Sequence, residues 1–257
     1  MRLVSGFKKY ISIVFTSLVL GLVTCAPLCG CSSGNATNRA LLEQMEERSV
    51  DDAQTLIYRR ADEKVKTILQ QYASDGFLEP DASRSVFKNC VVVGDSVTYM
   101  SYLAGYLTGD EISAYYSVSL KTCDDYVQAA IDMHPARIIF NFGTNDMVLF
   151  GGDAQAFADM YLERCELIKE QLPNVQIYIT STMSPSEEAL EDNPGMVYAD
   201  QFNAAVSAMC DKTDRVTYVQ TDYLVDQHKD LRGEDGIHFQ DEFYGYWCAV
   251  VGQAIYQ

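Results

Sequence analysis

Positive charge is the first thing this sequence is short of. Its 19 Lys and Arg stand against 36 Asp and Glu, a formal net charge of −17. Such a chain repels phosphate backbones and anionic lipid head groups at long range, which excludes nucleic acid as a partner. Metal-ligand spacing is lacking as well. Cys90, Cys123, Cys165, Cys210 and Cys248 have no second Cys or His at the short intervals of a zinc site, so neither a metal nor another cofactor is expected. Their apolar neighbours, such as Val91 after Cys90 and Trp247 before Cys248, mark them as small buried side chains, and spacing assigns no disulfide. Internal repeats and low-complexity tracts are also missing, which excludes a solenoid.

What is present describes a folded domain. Hydrophobic residues make up 48% and charged residues 21%, and 257 residues suffice for one α/β domain plus an anchor but not for two domains with separate cores. Arg2, Lys8 and Lys9 precede an uncharged run from Tyr10 to Val23, the basic-then-apolar order of an export signal. The run leads into Leu28-Cys29-Gly30-Cys31, which resembles a bacterial lipoprotein processing box with Cys31 as the lipidated residue. Uncleaved, Tyr10 to Leu28 nearly reaches the roughly 20 residues needed to cross a bilayer. Either way the rest of the chain is expected outside the cytoplasm, held to the membrane through the amino terminus alone, with secretion as the alternative. The expected organisation is an anchor over 1–31, a tether and amphipathic helical region over 32–84, and the main domain over 85–257.

From Ser85 onward, short β-branched runs alternate with helical stretches. That order predicts an α/β three-layer sandwich, a mainly parallel five-stranded sheet flanked by helices in the flavodoxin-like manner. Strands are predicted at Val86 to Val93, Glu111 to Ser117, Arg137 to Phe142, Val175 to Thr180 and Val216 to Gln220. Sheets of this kind hold ligands at the carboxyl ends of their strands, so functional residues are sought just after each one.

Three such places carry chemistry. After the first strand stands Gly94-Asp95-Ser96-Val97 at the start of a helix, where free N–H groups and the helix dipole favour developing negative charge. After the third comes Gly143-Thr144-Asn145-Asp146, whose Asn amide can donate a hydrogen bond. Near the carboxyl terminus, Asp235-Gly236-Ile237-His238 sets a carboxylate three residues before a histidine. In this order the blocks resemble the SGNH (GDSL-like) hydrolase family over roughly Phe87 to Gln257.

The resemblance implies a cofactor-free serine ester hydrolase. A serine hydroxyl is a poor nucleophile at neutral pH, so His238 takes the proton of Ser96 and returns it to the leaving alcohol, while Asp235 orients the imidazole. It also implies three oxyanion donors: the Ser96 N–H, the Asn145 side chain and a backbone N–H after the second strand. Glycine usually stands at that last place, and Ser117-Val118-Ser119-Leu120 contains none. Segment matching nominates Leu120, and a shift of a few residues nominates Ser117 or Ser119. Gly94, Asp95, Gly143 and Asp146 are read as supporting residues, Asp146 as a turn residue or a prop for its neighbours. His134 and His228 are read as solvated, and Ser181 to Pro194 as a rim around the substrate. The expected substrate is a short acyl ester, O-acetyl above all, on a small molecule or a cell-wall glycan. Alternatives are O-acetyl transfer to a glycan by the same residues, since the Ser96 and His238 blocks also look like peptidoglycan O-acetyltransferase domains, and an inactive binding lipoprotein. For the anchor, mass spectrometry of the mature chain from a bacterial host is expected to find diacylglyceryl-Cys31 at the amino terminus. An intact Met1 or cleavage elsewhere contradicts that expectation.

Overall fold

The computed structural model describes residues 62–71 and 76–257. The expected anchor with Cys31, the tether, and the amphipathic stretch before residue 62 lie outside the described residues. Among the described residues no helix is long and apolar enough to cross a membrane.

The apolar runs become strands β1 (Cys90–Gly94), β2 (Ile112–Ala114), β3 (Arg137–Asn141), β4 (Gln176–Thr180) and β5 (Val216–Val219). They form one parallel sheet in the order β2-β1-β3-β4-β5. Side chains alternate across a strand, and the two faces fill two cores. Val91, Val93, Ile138 and Phe140 enter one core, while Cys90, Val92 and Ile139 enter the other. A strand buried on both faces reads as an unbroken apolar run, which is why Val91-Val92-Val93 shows no polar alternation.

Helices α1 (Pro80–Phe87), α2 (Ser96–Leu103), α3 (Asp124–Asp132), α4 (Asp146–Leu149), α5 (Ala154–Gln171), α6 (Glu187–Asp192), α7 (Ala199–Cys210), α8 (Tyr223–Gln227) and α9 (Phe243–Ile255) complete these layers. Val127, Phe157, Tyr161, Phe202 and Val206 place α3, α5 and α7 over the first face. Val86, Phe243, Trp247 and Val251 place α1 and α9 over the second. The five cysteines from Cys90 to Cys248 are buried and unpaired. Burial pushes the Cys90 and Cys248 thiols up to about 12, so both are inert packing groups.

Strand boundaries match the sequence reading to within a residue except in the first two: β2, expected to run to Ser117, stops at Ala114, and β1, expected from Val86, starts at Cys90. Val86 and Phe87 run straight on towards Val91 in sequence, yet they end α1, which Pro80 opens with a preset φ. The packed unit also begins earlier than Ser85. It spans Tyr58–Gln257, and Val65, Leu69 and Leu78 are buried in the second core. Arg137 ties this early part down, donating to Asp62 at 2.7 Å and to the Ile255 carbonyl at 3.0 Å. Amphipathic spacing looks the same in a helix that leads to a domain and in one that packs on it, so the sequence did not separate them.

Each buried Leu or Val is worth about 1.5–3 kcal/mol. A chain begun at Tyr58 is therefore expected to unfold in one cooperative thermal transition, and a chain begun at Ser85 to melt at least several degrees lower. Equal melting temperatures by circular dichroism would remove residues 58–84 from the folding unit.

Candidate active site

The strand order reverses direction between β1 and β3, and there a doubly wound sheet opens a crevice at its carboxyl edge. Ser96 follows β1 as the first residue of α2. Asp95 caps that helix, its Oδ1 accepting the Val97 N–H at 3.0 Å. A Cβ on Gly94 would lie 2.0 Å from Thr98 Oγ1 and 2.6 Å from the Asn141 carbonyl, so glycine is what lets α2 start this close to β3. Buried polar groups lock that approach. Asn141 Nδ2 donates to Thr98 Oγ1 at 2.9 Å, and Thr180 Oγ1 donates to Asn141 Oδ1 at 2.8 Å, linking α2, β3 and β4 directly beneath the serine.

Ser96, His238 and Asp235 come together from opposite ends of the packed unit. His238 Nε2 lies 2.8 Å from Ser96 Oγ, and His238 Nδ1 lies 2.5 Å from Asp235 Oδ2. Asp235 Oδ1 accepts the backbone N–H groups of Ile237 and His238, each at 2.9 Å. Burial alone would raise the Asp235 carboxyl, but the His238 ring and these two N–H groups outweigh it and hold it at about 2. An ionised carboxylate there fixes the proton on Nδ1 and leaves Nε2 facing the serine as an acceptor. That arrangement can draw the proton from Ser96 as its oxygen attacks an electrophile.

The loop carrying Asp235 and His238 is braced from below. Gly233 N–H donates to the His238 carbonyl at 2.8 Å, and Arg232 pairs with Phe239 across an isolated bridge. The Arg232 guanidinium donates to the Ser184 carbonyl at 2.8 Å and stands 4.6 Å from the centre of the Phe239 ring. Gly236 has a φ of +66°, and a Cβ there would meet Ser186 Oγ at 2.2 Å, while its carbonyl accepts the Ser186 N–H at 2.8 Å. The segment from Ser181 to Pro194, expected as a rim, thus supports the histidine loop. Arg232 has no counterpart in the sequence reading, because its partners lie across loops that no local pattern connects.

The second and third blocks interlock. Asn145 is half-buried, and its Nδ2 donates to the Val118 carbonyl at 2.9 Å. Asp146 is fully buried and accepts the Leu120 N–H at 2.8 Å, which makes it a brace between blocks and not merely a turn residue. Leu120 itself is fully buried, so its N–H is committed to Asp146 and its side chain to the core. Ser119 N–H is likewise taken, by Thr122 Oγ1 at 3.1 Å. The residue of this block with glycine-like geometry is Ser117, at a φ of +60° and exposed. This corrects the placement at Leu120. Segment matching sought a glycine and not the left-handed backbone for which a glycine is usually needed.

Two acids lie under the site. Burial raises Asp95 and Asp146 to about 7 each, against the pull of backbone N–H groups, and the nearby Asp146 carboxylate adds to the rise at Asp95. Asp95 Oδ2, Asp146 Oδ2 and the buried Tyr161 hydroxyl have no hydrogen-bond partner among the described residues. Among the described residues no group of three His, Cys, Asp or Glu is placed to hold a metal ion. His134 is exposed, its Nδ1 2.8 Å from the Asp132 carbonyl. His228, expected to be solvated, is half-buried with its ring stacked 3.7 Å from that of Tyr246.

Comparison with known proteins agrees with this fold. The profile of the GDSL-like lipase/acylhydrolase family matches residues 92–246. A GDSL-like lipase from Bacteroides thetaiotaomicron is 17% identical with a TM-score of 0.51, over 73% of this chain and 96% of that one. A family 3 carbohydrate esterase from Talaromyces cellulolyticus is 14% identical with a TM-score of 0.52, over 65% and 95%. At these identities the likeness speaks for the fold. No curated protein sequence matches the chain.

With their carboxyls held near 7, Asp95 and Asp146 keep protons in the folded chain that the unfolded chain releases near pH 4. Their contribution to stability is present below about pH 4 and lost as the pH rises towards 7. Asp146→Asn keeps an acceptor for Leu120 N–H but removes the ionisation. Its stability relative to the parent, from urea unfolding at about pH 5 and about pH 8, is expected to improve at the higher pH. A difference independent of pH would contradict the raised carboxyl.

Proposed function

The chain belongs to the GDSL-like lipase/acylhydrolase family, and from that premise and the geometry at Ser96 we propose a serine esterase that removes short acyl groups, O-acetyl above all, from a glycan. The observation that carries this reading is His238, whose two ring nitrogens reach Ser96 and Asp235 at once. Ser96 Oγ attacks the ester carbonyl carbon while its proton passes to His238 Nε2. The tetrahedral intermediate collapses, the carbon–oxygen bond to the alcohol breaks, and His238 returns the proton to the departing alkoxide. Water then attacks the acyl-Ser96 carbonyl with His238 again as base, and the second collapse releases the carboxylic acid and restores the serine.

The oxyanion is received by the Ser96 N–H at the start of α2, by the second N–H of Asn145 Nδ2 and by the Ser117 N–H. Asn145 is held for this by its bond to the Val118 carbonyl. Ser117 fits because its positive φ reproduces the backbone turn that glycine usually provides, and it directly precedes Val118. A short acyl group is supported by the small interval between the first and second blocks, which leaves little chain to wall a deep acyl cavity, and the gap behind α2, lined by Val97, Ser101, Phe243 and Trp247, offers no such cavity. Support for a glycan comes from the carbohydrate-esterase neighbour named above and from the basic-then-apolar amino terminus, which favours an exported enzyme anchored through Cys31.

Steady-state kinetics on p-nitrophenyl acetate test these roles. Ser96→Ala and His238→Ala are each expected to cost on the order of 10⁴-fold or more in kcat, because members of such a unit act together. Asp235→Asn should leave more activity than either. Asn145→Ala should cost on the order of 10²- to 10³-fold in kcat. Ser117→Gly is expected to keep kcat within about twofold, whereas Ser117→Val, β-branched and strained at positive φ, should lower it. Activity of Ser96→Ala within about twofold of the parent, in folded protein, would remove Ser96 as the nucleophile.

A further inference from the structure

Beside the nucleophile lies a group of aromatic rings that the ester chemistry does not use. Tyr99 and Tyr102, three residues apart on α2, share one face of that helix. The loop leaving β2 brings Tyr115 and Tyr116 against them. The Tyr99 ring lies 5.8 Å from Tyr102, 5.1 Å from Tyr115 and 5.0 Å from Tyr116, and the last two are 5.4 Å apart. Tilted and edge-on contacts of this kind stabilise one another, so the four rings pack as one surface. Tyr102, Tyr115 and Tyr116 are nevertheless 39%, 50% and 45% exposed. Large aromatic rings left exposed together mark a contact surface.

Its position relates it to the reaction. Tyr99 stands one helical turn after Ser96, and Tyr115 and Tyr116 run directly into Ser117 and the Val118 carbonyl that holds Asn145. The patch therefore flanks the ester on the β2 side. Its chemistry selects the occupant. Each ring offers an apolar face and a hydroxyl at its edge, and a pyranose offers the complement, an apolar C–H face bordered by hydroxyls. An acyl tail would call for an aliphatic lining without hydroxyls, and an anionic polymer would be repelled by the net charge of −17.

We propose that Tyr99, Tyr102, Tyr115 and Tyr116 form a platform for the sugar rings of a neutral glycan, holding the alcohol side of the ester across Ser96. This rests on the esterase reading for its purpose but not for its test. Neutral hexasaccharides without esters, namely xylohexaose, cellohexaose and chitohexaose, are titrated calorimetrically into the full chain in detergent and into its Tyr115→Ala/Tyr116→Ala form. At least one is expected to bind the parent, and the double substitution to weaken that binding about tenfold or more, as loss of stacked aromatic anchors does. Chemical-shift changes of tyrosine ring protons in the unsubstituted chain supply a measure that needs no variant. Absence of binding by all three sugars, or a smaller loss in a variant that melts like the parent without tyrosine shift changes in the parent, would overturn the platform. Hydrolysis of p-nitrophenyl acetate by the parent is read in parallel. Its absence would defeat the esterase reading while leaving the titration to decide the platform.

Discussion

Parallel pairing of β1 with β3 is the contact on which the site depends. Its register sets Gly94 opposite Asn141, so the two strands end level and their following loops emerge side by side. One loop delivers Ser96, the other Asn145. A slip of one residue would turn every side chain of β1 to the opposite face, burying in each core what now belongs to the other. The two-sided burial of Val91, Val92 and Val93 forbids that slip, and so the hydrophobic pattern of one short strand fixes where the Ser96 hydroxyl appears.

Beneath the serine the protein spends stability on position. Asp95 and Asp146 are carboxyls kept where ionisation is costly, yet each fixes a piece of the site, Asp95 the start of α2 and Asp146 the N–H of Leu120. Apolar replacements could fill the same volume but could not tie a strand end to a neighbouring loop through a directed bond. The Thr98, Asn141 and Thr180 relay acts in the same way between α2, β3 and β4. His238, by contrast, comes from a loop with little core of its own. Its placement relies on Asp235, Gly236 and Arg232, three residues that convert a half-exposed turn into a defined one.

The fold was legible in the sequence because parallel strands and their crossover helices leave strong local patterns, and the five strands fall within a few residues of where apolar runs put them. Ser96, Asn145, Asp235 and His238 were legible because each sits in a short block immediately after a strand or before a helix. What escaped is of another kind. Thr98, Asn141 and Arg232 act through partners distant in the chain, and no spacing announces such a pair. Ser117 stood in the sequence only as an alternative to Leu120, because the property that distinguishes it is a backbone angle, which serine adopts without any change in the local sequence pattern. Leu120 was nominated by counting, but its apolar side chain was itself the clue that it belongs to the core. The tyrosines were visible in the sequence, yet only the fold brings Tyr99 and Tyr102 of a helix against Tyr115 and Tyr116 of a loop.

The central claim is that His238 makes the Ser96 hydroxyl nucleophilic. Treatment with a fluorophosphonate followed by peptide mass spectrometry tests it without any assumption about substrate, since the reagent bonds only to an activated hydroxyl. The account predicts one adduct, on Ser96, in the unsubstituted chain and none in His238→Ala. Labelling of a different residue, or no labelling of the unsubstituted chain, would contradict it.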